Sequence, residues 1–249
     1  KLFKVGDRVS HASMPIGAYS EKHIMPENKL VPVPDGVSDE VASCVTLKGI
    51  TAEYLLHRAY PLKKGDKVLY HAAAGALGQI LCPWANSIGA EIIGTVGSKE
   101  KEEIAKKNGC HHVINYTDKD FVEEVEKIVG KNGIDVVYDG VGLKTFEGSI
   151  NVLKIRGMMV AFGNASGYVD TIDVKKHINA KGLFFTRPSI AHYTIEREEL
   201  LESAKKVFNA VLSGKFKIEI SKKYSLDEVK QAHEDLEGRL LTGPAVIKP

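Results

Sequence analysis

Apolar and polar positions follow two alternating patterns along the middle of the chain. Short apolar runs recur between segments whose apolar residues are three or four positions apart. The runs predict strands and the spaced segments predict amphipathic helices. The predicted strands are Lys67–Ala73, Glu91–Val96, His112–Asn115, Ile134–Tyr138 and Gly157–Phe162, and the predicted helices lie between the glycine-rich turn and Gly89 and over Lys99–Lys107, Lys119–Val129 and Thr145–Leu153. This alternation is typical of βαβ units and predicts an α/β fold with a doubly wound parallel sheet, covered by helices on both faces.

The two ends of the chain have a different pattern. Residues 1–36 carry short apolar stretches broken by Gly, Pro and Asn, which predicts β-rich structure. Arg197–Leu212 has apolar residues at helical spacing, which predicts an amphipathic helix. Ser225–Glu228 is a capping-box sequence that predicts the start of a last helix, and Pro244–Ile247 predicts a final strand.

Composition narrows the class of protein. The chain has 249 residues, of which 43% are apolar and 27% charged, as is usual for a globular protein. A net charge of +2 gives no general reason to expect a nucleic-acid or membrane partner. The three cysteines are far apart and odd in number, so we expect no disulfide framework and favour the reducing cytoplasm. Because the chain opens without methionine on a turn that leads into a strand, we expect an N-terminal portion, with any targeting signal, to be missing.

A glycine-rich turn between the first predicted strand and its helix is the central motif. Ala73, Gly75 and Gly78 take the three small-residue positions of the dinucleotide fingerprint, and we assign Ala76 and Leu77 to the same site. Gly75 would let a pyrophosphate approach the backbone at the helix N-terminus, and Gly78 would allow close helix–strand packing. The alternative is a tight turn without a ligand, although the strand–turn–helix context is the one that the motif requires.

The end of the second predicted strand distinguishes between nicotinamide cofactors. An NAD site usually places an acidic residue there to accept from the ribose hydroxyls. This chain has Gly97, Ser98, Lys99 and Lys101 instead, which could accommodate a ribose 2′-phosphate. The residues therefore predict NADPH, and the alternative is a solvated helix start with ordinary surface lysines.

Two later strand ends also carry small residues. Gly140 follows the predicted strand over 134–138, and Gly163 comes directly after Phe162. Ligands of open α/β sheets bind outside the carboxyl ends of the strands, so these positions would make room for the nicotinamide half. Turn formation is the alternative for each glycine.

Searches for other chemistry find no motif. The sequence contains no C-x-x-C pair, no H-E-x-x-H, no G-x-S-x-G and no RNP-type motif. His71 precedes the glycine-rich turn and is interpreted as a packed strand residue, not as a base. None of the nine histidines lies in a metal-ligand arrangement with cysteine, so we predict no metal site.

Several motifs together resemble a known family. His71–Gly78, Asn115-Tyr116, Val137–Gly142 and Ala161–Asn164 are similar to those of NADPH:quinone oxidoreductases, the zeta-crystallin-like, zinc-free branch of the medium-chain dehydrogenase/reductase superfamily. The resemblance extends over essentially the whole chain and includes Thr186–Ser189. It implies a Rossmann domain and a GroES-like catalytic domain that hold NADPH between them, usually in a homodimer.

The resemblance also implies roles for individual residues. Lys101, Tyr116 and Arg239 would contact the 2′-phosphate region, with Gly97 leaving space for it. Thr51 would lie near the nicotinamide and the substrate. Gly140 departs from the family, which has serine at this position. The implied domains are a remnant of the GroES-like domain over 1–48, the Rossmann domain over 49–186 and a return to the catalytic domain over 187–249.

The leading hypothesis is therefore NADPH-dependent reduction of a small quinone by hydride or electron transfer. An enone or enoyl-thioester reductase of the same branch is the first alternative. A zeta-crystallin-like protein that binds AU-rich RNA with little catalysis is the second, although the near-neutral charge and the lack of base-stacking motifs disfavour it. A zinc alcohol dehydrogenase and a methyltransferase fit the residues less well, because the cysteine-rich zinc loop is absent from the sequence and a methyltransferase would not explain Lys101.

Overall fold

The structure, a computed structural model, describes residues 1–12, 15–238 and 240–249. The chain forms two compact units. One comprises Lys1–Tyr54 with Ile190–Pro249, and the other comprises Leu55–Ser189. No helix in the described part of the chain is long and apolar enough to cross a lipid bilayer.

Ten strands and seven α-helices make up the regular structure of the described residues. The strands are β1 (Val9–Ser10), β2 (Val31–Pro32), β3 (Lys67–His71), β4 (Glu91–Val96), β5 (His112–Asn115), β6 (Ile134–Asp139), β7 (Leu153–Ala161), β8 (Phe184–Thr186), β9 (Lys222–Ser225) and β10 (Ala245–Lys248). The helices are α1 (Asp39–Tyr54), α2 (Gly78–Ile88), α3 (Lys99–Lys107), α4 (Phe121–Val129), α5 (Phe146–Val152), α6 (Arg197–Leu212) and α7 (Val229–Glu237). Short π-helical turns lie at Leu55–Ala59 and Val174–Asn179, and 3₁₀ turns lie at Glu27–Lys29, Ile190–Tyr193 and Leu226–Glu228.

The unit Leu55–Ser189 contains a six-stranded parallel sheet. Its strand order is β5-β4-β3-β6-β7-β8, and every neighbouring pair is parallel. Counted from β3, this is the order 3-2-1-4-5-6 of a doubly wound dinucleotide-binding fold, in which the direction of winding changes between β3 and β6. The Rossmann-type sheet predicted from the sequence is confirmed.

Apolar side chains of the central strands form the core of this unit. Leu69, Ile93, Ile134 and Val137 are fully buried on the sheet and pack in one cluster with residues of α4 and α5. The strands are apolar on both faces because helices cover both sides of a parallel sheet. This rigid core fixes where the strand ends, and the loops that follow them, are placed.

The unit formed by the two ends of the chain is mainly helical. β1 and β2 pair antiparallel, and β9 and β10 pair parallel. The buried carboxylate of Glu53 on α1 accepts from Ser203 Oγ at 2.7 Å and from Lys206 Nζ at 3.1 Å, which links α1 to α6. The predicted capping box at Ser225–Glu228 is present, with the Glu228 carboxylate accepting from the Ser225 backbone N–H.

Residues 1–36 contain less strand than the sequence predicted. Only two strands of two residues occur there among the described residues, where β-rich structure was predicted. Pro26 and Pro34 lie on either side of β2, and a proline nitrogen cannot donate to a strand ladder, which keeps this strand short. The predicted strand Lys67–Ala73 ends earlier, at His71, because Ala72 adopts the left-handed backbone conformation with φ of 64°.

Candidate functional site

The predicted cofactor residues of the Leu55–Ser189 unit lie at one edge of its sheet. Parallel strands place their carboxyl ends at the same edge, and each segment in question directly follows a strand. The segments are Ala73–Gly78 after β3, Gly97–Lys101 after β4, Tyr116 after β5, Gly140 after β6 and Phe162-Gly163 after β7. The fold thus brings together residues that are up to 90 positions apart in the sequence, and we call this edge the carboxyl edge.

The glycine-rich turn is held by short contacts to the sheet. Ala73 is fully buried, and its N–H donates to the Thr95 carbonyl at 3.0 Å. A Cβ atom on Gly78 would overlap the Ala73 carbonyl oxygen, so only glycine allows α2 to start this close to the strand. Asn108 Nδ2 donates to that same carbonyl oxygen at 3.2 Å. The close packing expected of Gly78 is confirmed, whereas no sequence signal indicated the supporting role of Asn108.

The same turn presents backbone donors at the start of α2. In the described part of the chain, the N–H groups of Ala76 and Leu77 donate to no backbone carbonyl, and Gly75 is exposed. Ala72, just before them, is a non-glycine residue with φ of 64° and is also exposed. Such free N–H groups at a helix N-terminus form a site for a phosphate group. The arrangement fits the pyrophosphate of a dinucleotide.

Gly97 and Tyr116 lie in contact at the ends of β4 and β5. A Cβ atom on Gly97 would lie 2.5 Å from the Tyr116 hydroxyl oxygen, so the absence of a side chain makes room for the phenol. Ser98 Oγ accepts from the Lys101 N–H at 3.4 Å and caps the N-terminus of α3. Among the described residues, Lys101 Nζ forms neither a hydrogen bond nor an ion pair. A half-exposed phenol and an unpaired ammonium group therefore flank a strand end that carries no acidic residue, which fits a ribose 2′-phosphate.

Two loops after β6 and β7 are tied together by a buried carboxylate. Asp139 Oδ1 accepts from the N–H groups of Val141 at 2.7 Å and Gly142 at 3.0 Å, and its Oδ2 accepts from Thr145 Oγ1 at 2.7 Å. The Asp139 carbonyl accepts from the Phe162 N–H at 2.9 Å. Asp139 was part of a recognised motif, but the sequence did not indicate that it would hold both loops.

Gly140 and Phe162 are close neighbours within these loops. A Cβ atom on Gly140 would lie 2.9 Å from the Phe162 ring, and this ring stacks on Tyr70 with centroids 6.3 Å apart. Serine at position 140 would thus require the Phe162 ring to move. The Phe162 ring thus occupies the space that the serine of the family pattern would need at position 140.

His71 is a structural residue of β3. Its Nδ1 lies 2.9 Å from Thr95 Oγ1 and its Nε2 lies 2.9 Å from Ser149 Oγ, and the ring is buried. Burial lowers the pKa of His71 because the imidazolium form would lose its hydration, while the negative charge of Asp139 acts in the opposite direction. A buried, neutral ring with both nitrogens engaged cannot exchange protons with a substrate, and the interpretation as a packed strand residue is confirmed.

Two predicted site residues lie elsewhere. Thr51 belongs to α1 in the other unit, where its Oγ1 donates to the Leu47 carbonyl at 2.8 Å. Arg239 lies outside the described residues. Their roles beside the nicotinamide and the 2′-phosphate stay predictions from the family resemblance, as do the predicted domain boundaries.

Two cavities among the described residues are relevant to ligand binding. A wide, mostly apolar cavity of about 1030 Å³ lies within the unit formed by the chain ends, with His11, Tyr19 and Lys29 as its titratable residues. A smaller cavity of about 190 Å³ lies at the carboxyl edge and includes Asp139, Gly163 and Arg187 in its lining. The predicted cofactor residue Gly163 therefore lines the smaller cavity.

Comparison with known proteins decides the family. The profile of the family described as zinc-binding dehydrogenase matches residues 76–213. The chain is 42% identical to quinone oxidoreductase 1 of Escherichia coli (strain K12), over 100% of this chain and 77% of that protein. It is 45% identical to a 2-haloacrylate reductase of Burkholderia sp, over 99% of this chain and 75% of that protein. The chain belongs to the quinone oxidoreductase family of the medium-chain dehydrogenase/reductases.

A solved structure supports the same assignment. The crystal structure of Escherichia coli quinone oxidoreductase complexed with NADPH superposes with a TM-score of 0.95 at 42% identity, covering 100% of this chain and 77% of that one. The predicted oxidoreductase class is confirmed, and NADPH is the cofactor of this close structural relative. Among the described residues, no group of three or more His, Cys, Asp or Glu side chains could hold a metal ion. Independence from zinc stays a prediction.

Proposed function

We propose that this chain binds NADPH along the carboxyl edge of its six-stranded sheet and reduces a quinone. The observation that carries the proposal is the end of β4, where Gly97 and Ser98 stand instead of an acidic residue, and where Tyr116 and the unpaired Lys101 provide a hydroxyl and a positive charge for a 2′-phosphate. Bound NADPH supplies the hydride, and with one proton this converts a quinone to a hydroquinone. The main role of the protein is then to position the two reactants.

The residues of the carboxyl edge divide the work of holding the cofactor. The N–H groups at the start of α2 bind the pyrophosphate. Lys101 and Tyr116 bind the 2′-phosphate, and the Phe162 ring and Gly163 border the nicotinamide. His71 takes no part in proton transfer, because both of its ring nitrogens are engaged within the core.

Reduction of an activated alkene is the second candidate. The relative named 2-haloacrylate reductase is 45% identical to this chain, which is as similar as the relatives named for quinones. Hydride addition to an α,β-unsaturated acid needs the same cofactor and the same strand edge.

We place the protein in the cytoplasm as a homodimer, in line with the family resemblance.

Titration of the protein with NADPH and with NADH tests the cofactor site. The fluorescence of the reduced nicotinamide reports binding. We expect NADPH to bind more tightly, and Lys101→Ala to lose about 10- to 100-fold of the NADPH affinity, since a charge-assisted contact contributes about 1.5–3 kcal/mol. NADH affinity should change little.

Lys106→Ala is the matched control, because Lys106 lies on the same helix and pairs with Glu103 at 2.7 Å. Equal affinities for the two cofactors, or equal effects of the two lysine variants, would contradict the proposed 2′-phosphate contact. The acceptor is tested by following NADPH oxidation with 1,4-naphthoquinone and with 2-chloroacrylate. If only 2-chloroacrylate is reduced, the second candidate function would replace quinone reduction.

A further inference from the structure

The smaller cavity at the carboxyl edge has apolar walls and is bounded by the ends of β6, β7 and β8. Its volume is about 190 Å³, which corresponds to a fragment-sized ligand and lies below the range typical of drug-sized molecules. The apolar residues that line it are Phe146, Met159, Ala161, Val169, Ile172 and Phe185. These residues belong to the core cluster of the sheet or pack against it, so the walls are rigid.

The carboxylate of Asp139, which lies in the lining of this cavity, is held by donors of the protein. Asp139 is fully buried, and its two oxygens accept from two backbone N–H groups and from the Thr145 hydroxyl. Donors of the protein therefore hold this carboxylate, and a ligand has to be recognised by other polar groups in the lining of the cavity.

Two polar side chains at the cavity have their hydrogen-bonding groups available. Arg187, directly after β8, is exposed, and Asn164 follows β7. Within the described ranges, neither the Arg187 guanidinium nor the Asn164 amide group forms a hydrogen bond, and Arg187 forms no ion pair. An arginine at the edge of an apolar cavity is suited to a planar carboxylate, which it can bind through two parallel N–H donors.

We propose that this cavity binds a small monocarboxylate, with the carboxylate paired to Arg187 and a short apolar body in the space lined by Met159, Ala161 and Phe185. Among the described residues that line this cavity, Arg187 is the one cationic side chain, which matches a ligand with one negative charge. The cavity walls match an unbranched body of a few carbon atoms. The proposal depends on these residues and not on the cofactor, so it can fail while NADPH binding remains.

Direct binding of crotonate and of crotonamide, measured by calorimetry or by saturation-transfer NMR, tests the site. The two molecules have the same body and differ in charge. We expect crotonate to bind about tenfold or more tightly than crotonamide, and Arg187→Gln to remove this preference. Arg187→Lys should keep only part of it, because an ammonium group lacks the bidentate geometry.

Arg156→Gln is the matched control, since Arg156 is an exposed arginine in the amino-terminal half of β7 and lies far from the strand's carboxyl end. It should leave the preference for crotonate unchanged. Ala161→Val, which adds two carbon atoms to the cavity wall, should weaken the binding of crotonate and of crotonamide to the same extent. Unfolding curves of each variant confirm that the fold is kept.

Three results would overturn the proposal. One is equal binding of crotonate and crotonamide, another is a preference that survives in Arg187→Gln, and the third is competition by inorganic phosphate as strong as that by crotonate. A parallel titration with NADPH separates this test from that of the cofactor site. If the unmodified protein binds NADPH but shows no preference for crotonate over crotonamide, the carboxylate site alone is contradicted.

Discussion

Gly78 and Gly97 both lie at the carboxyl edge, but an added methyl group would meet a different neighbour at each. At Gly78 it would meet the carbonyl group of Ala73, which belongs to the backbone of a buried turn. At Gly97 it would meet the hydroxyl end of Tyr116, a side chain that is 45% exposed. A backbone atom cannot move without its turn, whereas an exposed phenol can rotate away.

We therefore expect the two alanine variants to differ in kind. Gly78→Ala should destabilise the protein by about 1–3 kcal/mol and abolish cofactor binding, because α2 must shift. Gly97→Ala should change stability by less than about 0.5 kcal/mol and still weaken NADPH binding, because Tyr116 is displaced. Urea unfolding and fluorescence titration measure both effects. Similar losses of stability in the two variants would show that Tyr116 is not free to move.

His71 gives the protein a defined acid sensitivity. Burial lowers its pKa in the folded state below the value of about 6.5 expected in the unfolded chain. As the pH falls below about 6.5, the unfolded chain takes up the proton first, so stability decreases. His71→Gln should be less stable at pH 7 by about 1–3 kcal/mol but lose less stability between about pH 6.5 and 5.

The exposed His192 provides the comparison for this measurement. His192→Gln should show the same dependence of unfolding free energy on pH as the unmodified protein. If His71→Gln also keeps that dependence, another buried group must be responsible for it.

At the scale of elements, the network around Asp235 joins α7 to β9. Its carboxylate accepts from Lys222 Nζ at 2.7 Å, from the Tyr224 hydroxyl at 2.6 Å and from Gln231 Nε2 at 2.8 Å. The Lys222 contact, followed by those to Tyr224 and Gln231, lowers the pKa of Asp235 to about 2. The stabilisation is thus present above the unfolded value near 4 and is lost as the pH falls towards 2.

Asp235→Asn should remove this acid-dependent part. The difference in thermal midpoint between the unmodified protein and the variant is expected to be largest above about pH 4 and to shrink towards pH 2. Asp227→Asn, at an exposed position of the preceding turn, should leave the midpoint nearly constant relative to the unmodified protein. A difference for Asp235→Asn that stays constant with pH would exclude the ionised carboxylate as its cause.

The elements that were predicted with the correct bounds have clear local signals at both ends. Glu91–Val96 and Lys99–Lys107 are separated by the glycine and the serine cap at 97 and 98, and Arg197–Leu212 has a regular apolar spacing. β9 and the π-helical turn at Val174–Asn179 were not predicted, because short polar segments take their structure from distant partners. β9, for example, pairs with β10 about 20 residues further on.

The candidate site was predictable where it follows from strand ends and not where it depends on side-chain partners. A glycine-rich turn and a strand without a following acid are visible in the sequence. The contact of Asn108 with Ala73 and the contacts of Asp139 are not, since no local pattern specifies which donor meets which acceptor across the sheet. The Arg187 cavity requires three strands to be placed side by side before it exists.

At the scale of the whole molecule, ligand binding should stabilise the two units unequally. Every described residue assigned to the 2′-phosphate and pyrophosphate belongs to the Leu55–Ser189 unit. At a cofactor concentration of about 100 times Kd, binding adds about 2.7 kcal/mol to the stability of the state that binds. Hydrogen exchange with and without NADPH should show added protection in the segments 72–78, 96–101 and 139–142.

NADP⁺ at the same concentration serves as the comparison, because it carries the same phosphates. It should protect the first two segments to a similar extent. Protection confined to the unit formed by the chain ends would contradict the placement of the cofactor at the carboxyl edge.

The left-handed conformation of Ala72 should affect both the stability of the protein and its turnover rate. An alanine in this conformation costs about 1 kcal/mol, and Ala72→Gly would relieve most of it, less the extra flexibility that glycine gives the unfolded chain. The same change would loosen the turn whose N–H groups we propose to bind the pyrophosphate, so we expect NADP⁺ to dissociate faster. In many enzymes the release of the oxidised cofactor limits turnover. If it does so here, Ala72→Gly would have a higher free energy of unfolding and a higher kcat. Its KM for NADPH would also be higher. The backbone strain at Ala72 would then determine the residence time of NADP⁺ on the protein.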